Sequence, residues 1–193
     1  MTIAFVRHGE TAANRDGVLL GRADPPLTDL GTAQAGQLAS RFADRRPDAV
    51  VSSPLRRSLE TAAAIGGACG LEVVVDDRLI EIDYGAWDLA PFSEIPRADL
   101  AAWRADPDFA PPDGESLAAV STRVAAFCVE HLEPDRTVVA VSHVSPIKAG
   151  VSWAIATDPL VSWRLRLEVA SISRIAGSAD APVLVSFNET AHL

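Results

Sequence analysis

Four short runs rich in β-branched and apolar residues, at positions 3–6, 49–52, 72–75 and 137–142, punctuate the chain. Between them lie segments whose apolar residues recur at helical spacing. Alternation of this kind predicts parallel strands joined by crossover helices. Two late segments, 165–175 and 183–187, read as a pair of antiparallel strands. The predicted class is α/β, a three-layer α/β/α arrangement with a mostly parallel central sheet and an antiparallel edge. No linker, repeat or low-complexity tract divides the chain, so residues 1–193 are expected to form one domain.

The helices carry start signals. Thr28, followed by Asp29, predicts a capped helix running to about Phe42. Ser53-Pro54 reads as the beginning of the next, with a capping hydroxyl and proline at the first helical position. The turn Pro111-Pro112-Asp113-Gly114 precedes an amphipathic helix over 115–131, and residues 146–156 predict another. The stretch 87–112 has scattered prolines and room for one short helix near 99–105, as expected of an excursion that covers a site.

Composition narrows the function. A formal net charge of −9 without a basic or aromatic-basic stripe argues against nucleic-acid binding. No run approaches the roughly 18 apolar residues of a membrane span, and the apolar N-terminal run is too short for a signal-peptide core. A cytosolic protein is expected, with Cys69 and Cys128 unpaired. Such an acidic chain binds a small anion only if a few arginines are concentrated in one cleft.

Three predicted strands run straight into reactive side chains: Arg7-His8-Gly9-Glu10-Thr11, Ser52-Ser53-Pro54-Leu55-Arg56 and Ser142-His143. In an open parallel sheet the ligand crevice lies at the carboxyl ends of the strands, so Arg7, His8, Arg56 and His143 are expected to converge. Arginine forks suit phosphate oxygens, and a neutral imidazole is a competent nucleophile. Taken singly, each residue has a bland explanation as a satisfied polar or surface group. Metal binding by His8 and His143 is a weaker alternative, because no Cys-x-x-Cys, His-x-x-x-His or Asp-rich loop accompanies them. No metal or cofactor is expected.

Together the blocks match a known pattern. Arg7-His8-Gly9-Glu10-Thr11 with Asn14 resembles the R-H-G-[EQ]-[ST]-x-x-N signature of the histidine phosphatase superfamily, whose fold is phosphoglycerate mutase-like. The likeness continues through Leu27-Thr28-Asp29-Leu30-Gly31, through Ser52-Ser53-Pro54-Leu55-Arg56-Arg57, and through Leu79-Ile80-Glu81 with Tyr84-Gly85 and Trp87. It ends with Gly114-Glu115-Ser116 and Val141-Ser142-His143. The resemblance implies that His8 becomes a phosphohistidine and that Arg7, Arg56 and His143 hold the phosphate, assisted by Asn14. It implies Glu81 as general acid and base, with Gly21 and the Val144 N–H lining the substrate site. Glu10 is expected to be structural.

Two departures stand out. Val144 follows His143 where the family often has glycine, and Trp87-Asp88-Leu89 replaces the common W-E-G. The latter is expected to change the cleft rim rather than the chemistry. Only residues 82–112 separate Glu81 from the Asp113-Gly114-Glu115 turn, and only 188–193 follow the last predicted strand. Dedicated mutases resemble one another in longer shielding elements. The expectation is therefore a metal-independent phosphatase acting on a small phosphorylated metabolite, similar to α-ribazole and broad-specificity acid phosphatases. A cofactor-type phosphoglycerate mutase and a non-catalytic phospho-ligand sensor are the alternatives. Leu89, Phe92, Trp103 and Phe109 are candidate rim residues, and an edge strand near 165–175 offers a place for two copies to pair as a homodimer.

Overall fold

The computed structural model describes residues 2–133 and 135–193. Six strands, β1 (Thr2–Arg7), β2 (Ala49–Ser52), β3 (Val73–Val75), β4 (Thr137–Ser142), β5 (Ile172–Ser178) and β6 (Ala181–Glu189), form one sheet in the order β3-β2-β4-β1-β5-β6. The pairs β1–β4, β2–β4 and β2–β3 are parallel, whereas β1–β5 and β5–β6 are antiparallel. Alternate residues of a strand point to opposite faces, so β1 feeds two cores. Ile3 and Phe5 enter one with Val120, Val124, Phe127 and Ile147, while Ala4 and Val6 enter the other with Leu38, Phe42, Ala62 and Ile65. Burial on both faces accounts for the nearly unbroken apolar sequences of β1 and β4.

The helices are α1 (Ala12–Asp16), α2 (Asp29–Ala43), α3 (Arg56–Cys69), α4 (Arg97–Ala105), α5 (Leu117–His131) and α6 (Val144–Ala154). The predicted caps of α2 holds, with the Thr28 hydroxyl accepting from Gly31 N–H at 3.0 Å. The single short helix of the middle section is α4.

Three expectations are corrected. Helix α3 starts later than predicted: Leu55 is its N-cap, and the Ser53 hydroxyl instead accepts from Leu55 N–H and meets His143. The antiparallel edge is present, with 172–175 pairing against β6 as expected, but 165–171 is not strand. Its Arg-Leu-Arg-Leu alternation imitates a strand, but the chain turns at Ala170 (φ +53°), with Ser171 Oγ donating to the Glu168 carbonyl. Strand β5 starts only at Ile172 and lies between β1 and β6, so the place proposed for pairing with a second copy is internal. Helix α1, too short for a periodicity signal, is closed by reciprocal hydrogen bonds between Thr11 and Asn14.

Candidate active site

The end of β1 is held on both sides before it delivers His8. Arg7 N–H donates to Ser171 O, His8 N–H to Ser142 O and Ala170 N–H to His8 O, all within 3.0–3.1 Å. Beyond His8 the backbone passes under the first turn of α2 with no room for side chains. A Cβ on Gly9 would lie 2.4 Å from Gly31 O, and one on Gly31 would lie 2.1 Å from Glu10 O. These two approaches explain both glycines. Glu10 belongs to this packing: its Oε1 accepts from the Thr28 hydroxyl at 2.8 Å.

His8 is buried, and its Nδ1 lies 2.7 Å from the Gly9 carbonyl. A carbonyl only accepts, so Nδ1 carries the proton and Nε2 keeps a free lone pair. Burial, with the charges of Arg57 and Arg7 behind it, holds the His8 pKa well below the usual histidine value. The ring is therefore neutral and nucleophilic at physiological pH. The His143 ring stands beside it, centroids 5.0 Å apart, and its pKa is lowered for the same leading reason, with Arg57 and His8 contributing.

The second arginine of the site is Arg57, and Arg56 lies outside. Arg56 sits on the exposed side of α3, its Nε on Glu60 at 2.7 Å. One residue further round the helix, Arg57 is fully buried. Its Nη1 donates to Ala23 O (2.7 Å), its Nη2 to Gly21 O (2.8 Å) and its Nε to His143 Nδ1 (3.2 Å). An arginine has five N–H groups, so two remain for a ligand. Arg7 is anchored by Nη1 on the Leu167 carbonyl at 2.6 Å, and its buried Nε has no protein partner. Two fixed guanidinium groups thus face a neutral imidazole, the donor set that a phosphoryl group needs.

Gly21 and Val144 do not play the parts expected of them. The Gly21 N–H is taken by Asp88 Oδ1 at 2.7 Å, and the residue acts through its carbonyl, which seats Arg57. Asp88 Oδ2 takes Ala23 N–H at 2.7 Å, so this carboxylate holds the loop on which Arg57 rests. The Val144 N–H donates to Glu81 Oε2 at 3.1 Å instead of being free for phosphate. Glu81 is buried, and its Oε1 also accepts from Ser145 N–H (3.1 Å) and Ile82 N–H (2.8 Å). The carboxyl therefore caps the first turn of α6, the helix whose N-cap is His143. Asn14 uses Oδ1 to accept from Thr11, which leaves its amide NH₂ as the free end.

A model of the histidine phosphatase superfamily (branch 1) matches residues 3–190. The chain belongs to that family. It is 37% identical over 200 residues to a bifunctional protein of Mycobacterium tuberculosis, covering 99% of this chain and 54% of that one. The chain thus spans about half the length of the mycobacterial relatives it matches in this way. Phosphoserine phosphatase 1 of Hydrogenobacter thermophilus is 35% identical over 199 residues, 99% of this chain and 93% of its own. A probable phosphoglycerate mutase of Yersinia enterocolitica is 32% identical over 206 residues, 100% and 95%. Among solved structures, mycobacterial glucosyl-3-phosphoglycerate phosphatase superposes with a TM-score of 0.89 at 31% identity, covering 98% of this chain and 99% of that one.

Within this histidine phosphatase frame, sequence reasoning missed Arg57 and Asp88. Both had a signal. Ser53-Pro54-Leu55 ends the loop, so the helical phase of the next two residues decides which arginine faces inward, and neighbours on a helix differ by about 100°. Asp88 occupies the acidic position of the W-E-G block, shorter by one methylene and still able to reach two N–H groups. Of the candidate rim residues, Phe92 and Trp103 line the cavity beside Glu81. Phe109 stacks on Trp87 within the core, and Leu89 is exposed on the outer surface.

Proposed function

We propose that this chain is a phosphomonoester hydrolase working through a phosphohistidine on His8, with a small phosphorylated metabolite as substrate. The observation that carries the reading is the His8–Gly9 hydrogen bond, which fixes the neutral tautomer with Nε2 free, in a ring close enough to Arg57 and Arg7 to feel their charges. Nε2 attacks phosphorus, a P–N bond forms and the ester P–O bond breaks. Glu81 delivers its proton to the departing alkoxide. A water then attacks the phosphohistidine while Glu81 takes its proton, the P–N bond breaks and phosphate leaves. Arg7, Arg57 and His143 hold the phosphoryl oxygens, so the scheme asks for no cofactor.

The stretch between Glu81 and α5 is short and its aromatic residues are committed to packing, Trp87 on Trp103 and Phe109. It gives little to shield a phosphohistidine from water, which favours hydrolysis over the mutase reading. Retention of His8, Glu81 and both arginines favours an enzyme over a phosphate sensor. Unpaired Cys69 and Cys128 fit a reducing, cytosolic compartment. No described helix is long and apolar enough to cross a membrane.

The test is hydrolysis of p-nitrophenyl phosphate in EDTA, with label trapped during turnover. Acid-labile, base-stable label is expected on His8, and His8→Ala is expected to lose several orders of magnitude in kcat. Full turnover by His8→Ala overturns the mechanism.

A further inference from the structure

Lysine occurs once in this chain, at Lys148, against sixteen arginines. It lies on α6 one turn beyond Val144 and Ser145, on the face that carries them. Those two residues hold Glu81 and also form one wall of a cavity of about 170 Å³ lined by Lys148, Tyr84, Phe92, Trp103 and Trp163. The cavity does not include the His8 ring. It lies against the two residues that hold Glu81, so it is the space open to the alcohol portion of a phosphomonoester whose ester oxygen is beside that carboxyl.

The cavity holds one cation whose hydrogen-bond acceptor is a carbonyl, and two of its wall residues carry indole N–H groups turned into the packing. The Lys148 ammonium donates to the Ser162 carbonyl at 2.9 Å, and among the described residues no carboxylate lies within ion-pair distance. The indole N–H groups of Trp103 and Trp163 are both buried without a hydrogen-bond partner. Their rings meet edge to face at 4.7 Å and 90°, an arrangement in which one N–H at most is turned to the other ring. A half-buried cation with no carboxylate in direct contact is costly, even with the charge of Glu81 acting on it from beyond ion-pair distance. Trp163 is braced from outside by Arg104, 5.2 Å above its ring, so the wall is fixed rather than improvised.

We infer that this cavity is the leaving-group subsite of the phosphatase proposed above, and that Lys148 selects alcohols bearing a carboxylate. A carboxylate supplies acceptor oxygens and a counter-charge to the ammonium, in a space walled mostly by aromatic and aliphatic side chains. Lys148 stands about 5 Å further along α6 than the residues holding Glu81. The carboxylate therefore belongs within a few bonds of the ester oxygen. Burial lowers the Lys148 pKa, and the charge of Glu81 offsets that only in part.

The matched pair 3-phosphoglycerate and glycerol 3-phosphate, which differ in a carboxylate against a hydroxymethyl group, tests this. The wild-type protein is expected to prefer 3-phosphoglycerate by kcat/KM. Lys148→Met is expected to lower that preference roughly 10–100-fold, mainly through KM, and Lys148→Arg to keep most of it. Without any variant, 3-phosphoglycerate is expected to inhibit p-nitrophenyl phosphate hydrolysis at lower concentration than glycerol 3-phosphate does. An unchanged preference in Lys148→Met, or equal inhibition by the two esters, overturns the assignment while leaving the phosphatase reading intact. Failure of the wild type to hydrolyse any of the three esters removes the phosphatase reading and this subsite with it.

Discussion

Arg57 Nε donates to His143 Nδ1 at 3.2 Å, and that contact fixes the protonation of the imidazole. Since arginine cannot accept, Nδ1 is bare and Nε2 holds the proton, 2.7 Å from Ser53 Oγ and 3.2 Å from Ser58 Oγ. The two histidines of the site are therefore opposite tautomers, His8 protonated at Nδ1 and His143 at Nε2. His8 is arranged to attack, and the Nε2–H of His143 is held by the two serines, from which it must turn to reach a phosphoryl oxygen in the proposed mechanism.

Arg57→Ala is expected to lower kcat/KM about 10²–10³-fold, the usual cost of removing one charge-stabilising donor. Arg56→Ala should change it by less than about threefold, because an exposed pair with Glu60 contributes little. Steady-state kinetics on p-nitrophenyl phosphate separate the two, and the reverse order returns Arg56 to the site.

Glu81→Gln keeps the shape of the side chain and removes its proton. Its rate should fall about 10²–10⁴-fold with alkyl phosphates and less in the phosphorylation step with p-nitrophenyl phosphate, whose leaving group needs little protonation. Glu10→Gln should cost far less in rate, since Glu10 serves the Thr28 cap. Burst kinetics on both esters check this.

Asp88 acts on Arg57 through the Gly21–Ala23 loop. Asp88→Ala is expected to reduce kcat/KM about tenfold in an otherwise intact protein, and to add almost nothing to Arg57→Ala. Residues sharing one network are non-additive, and a double-mutant cycle measures that coupling. Additive losses would mean that Asp88 serves something other than Arg57.

Leu89 occupies left-handed backbone (φ +63°) with its side chain exposed, at the glycine position of the W-E-G block. Its N–H is committed to Leu19 O at 2.7 Å, so the loop does not relax away. Relief of the left-handed strain should make Leu89→Gly more stable by about 0.5–1 kcal/mol, read by urea denaturation.

The four histidines, His8, His131, His143 and His192, all have pKa values lowered first by burial. Each folded-state value lies below the unfolded one, so between the two the unfolded chain binds more protons. Their contribution to stability is complete above about pH 6.5 and is lost as pH falls below it, at up to about 1.4 kcal/mol per pH unit for each of the buried His8 and His143 and less for His131 and His192, which solvent screens. Denaturant midpoints at pH 7.5 and 5.5 measure the fall, and His143→Asn should make it shallower. On the same grounds, titration of His8 should not limit kcat/KM until well below pH 6.5.

The sheet was legible in the sequence wherever a strand is buried on both faces, because Ile3–Val6 and Val138–Val141 leave no polar alternation to misread. It was misread at 165–171, where alternating Arg and Leu mark a turn packed on one side, and alternation alone cannot distinguish the two. His8 and His143 were singled out because each stands just past the end of a predicted strand, and Glu81 because of the family-like block around it. Arg57 was not, since the choice between adjacent arginines depends on where Leu55 lets α3 start. The lysine cavity was invisible to the sequence altogether, being assembled from α4, α6 and the 159–164 turn, which no local pattern brings together.

A protease that cuts only after lysine has a single target in this chain, the Lys148–Ala149 bond in the middle of α6. Cleavage requires α6 to unwind, and the same unwinding releases the N–H groups of Val144 and Ser145 from Glu81. The rate of that one cut under native conditions therefore counts the excursions in which the Glu81 carboxyl loses its seat, without any added probe.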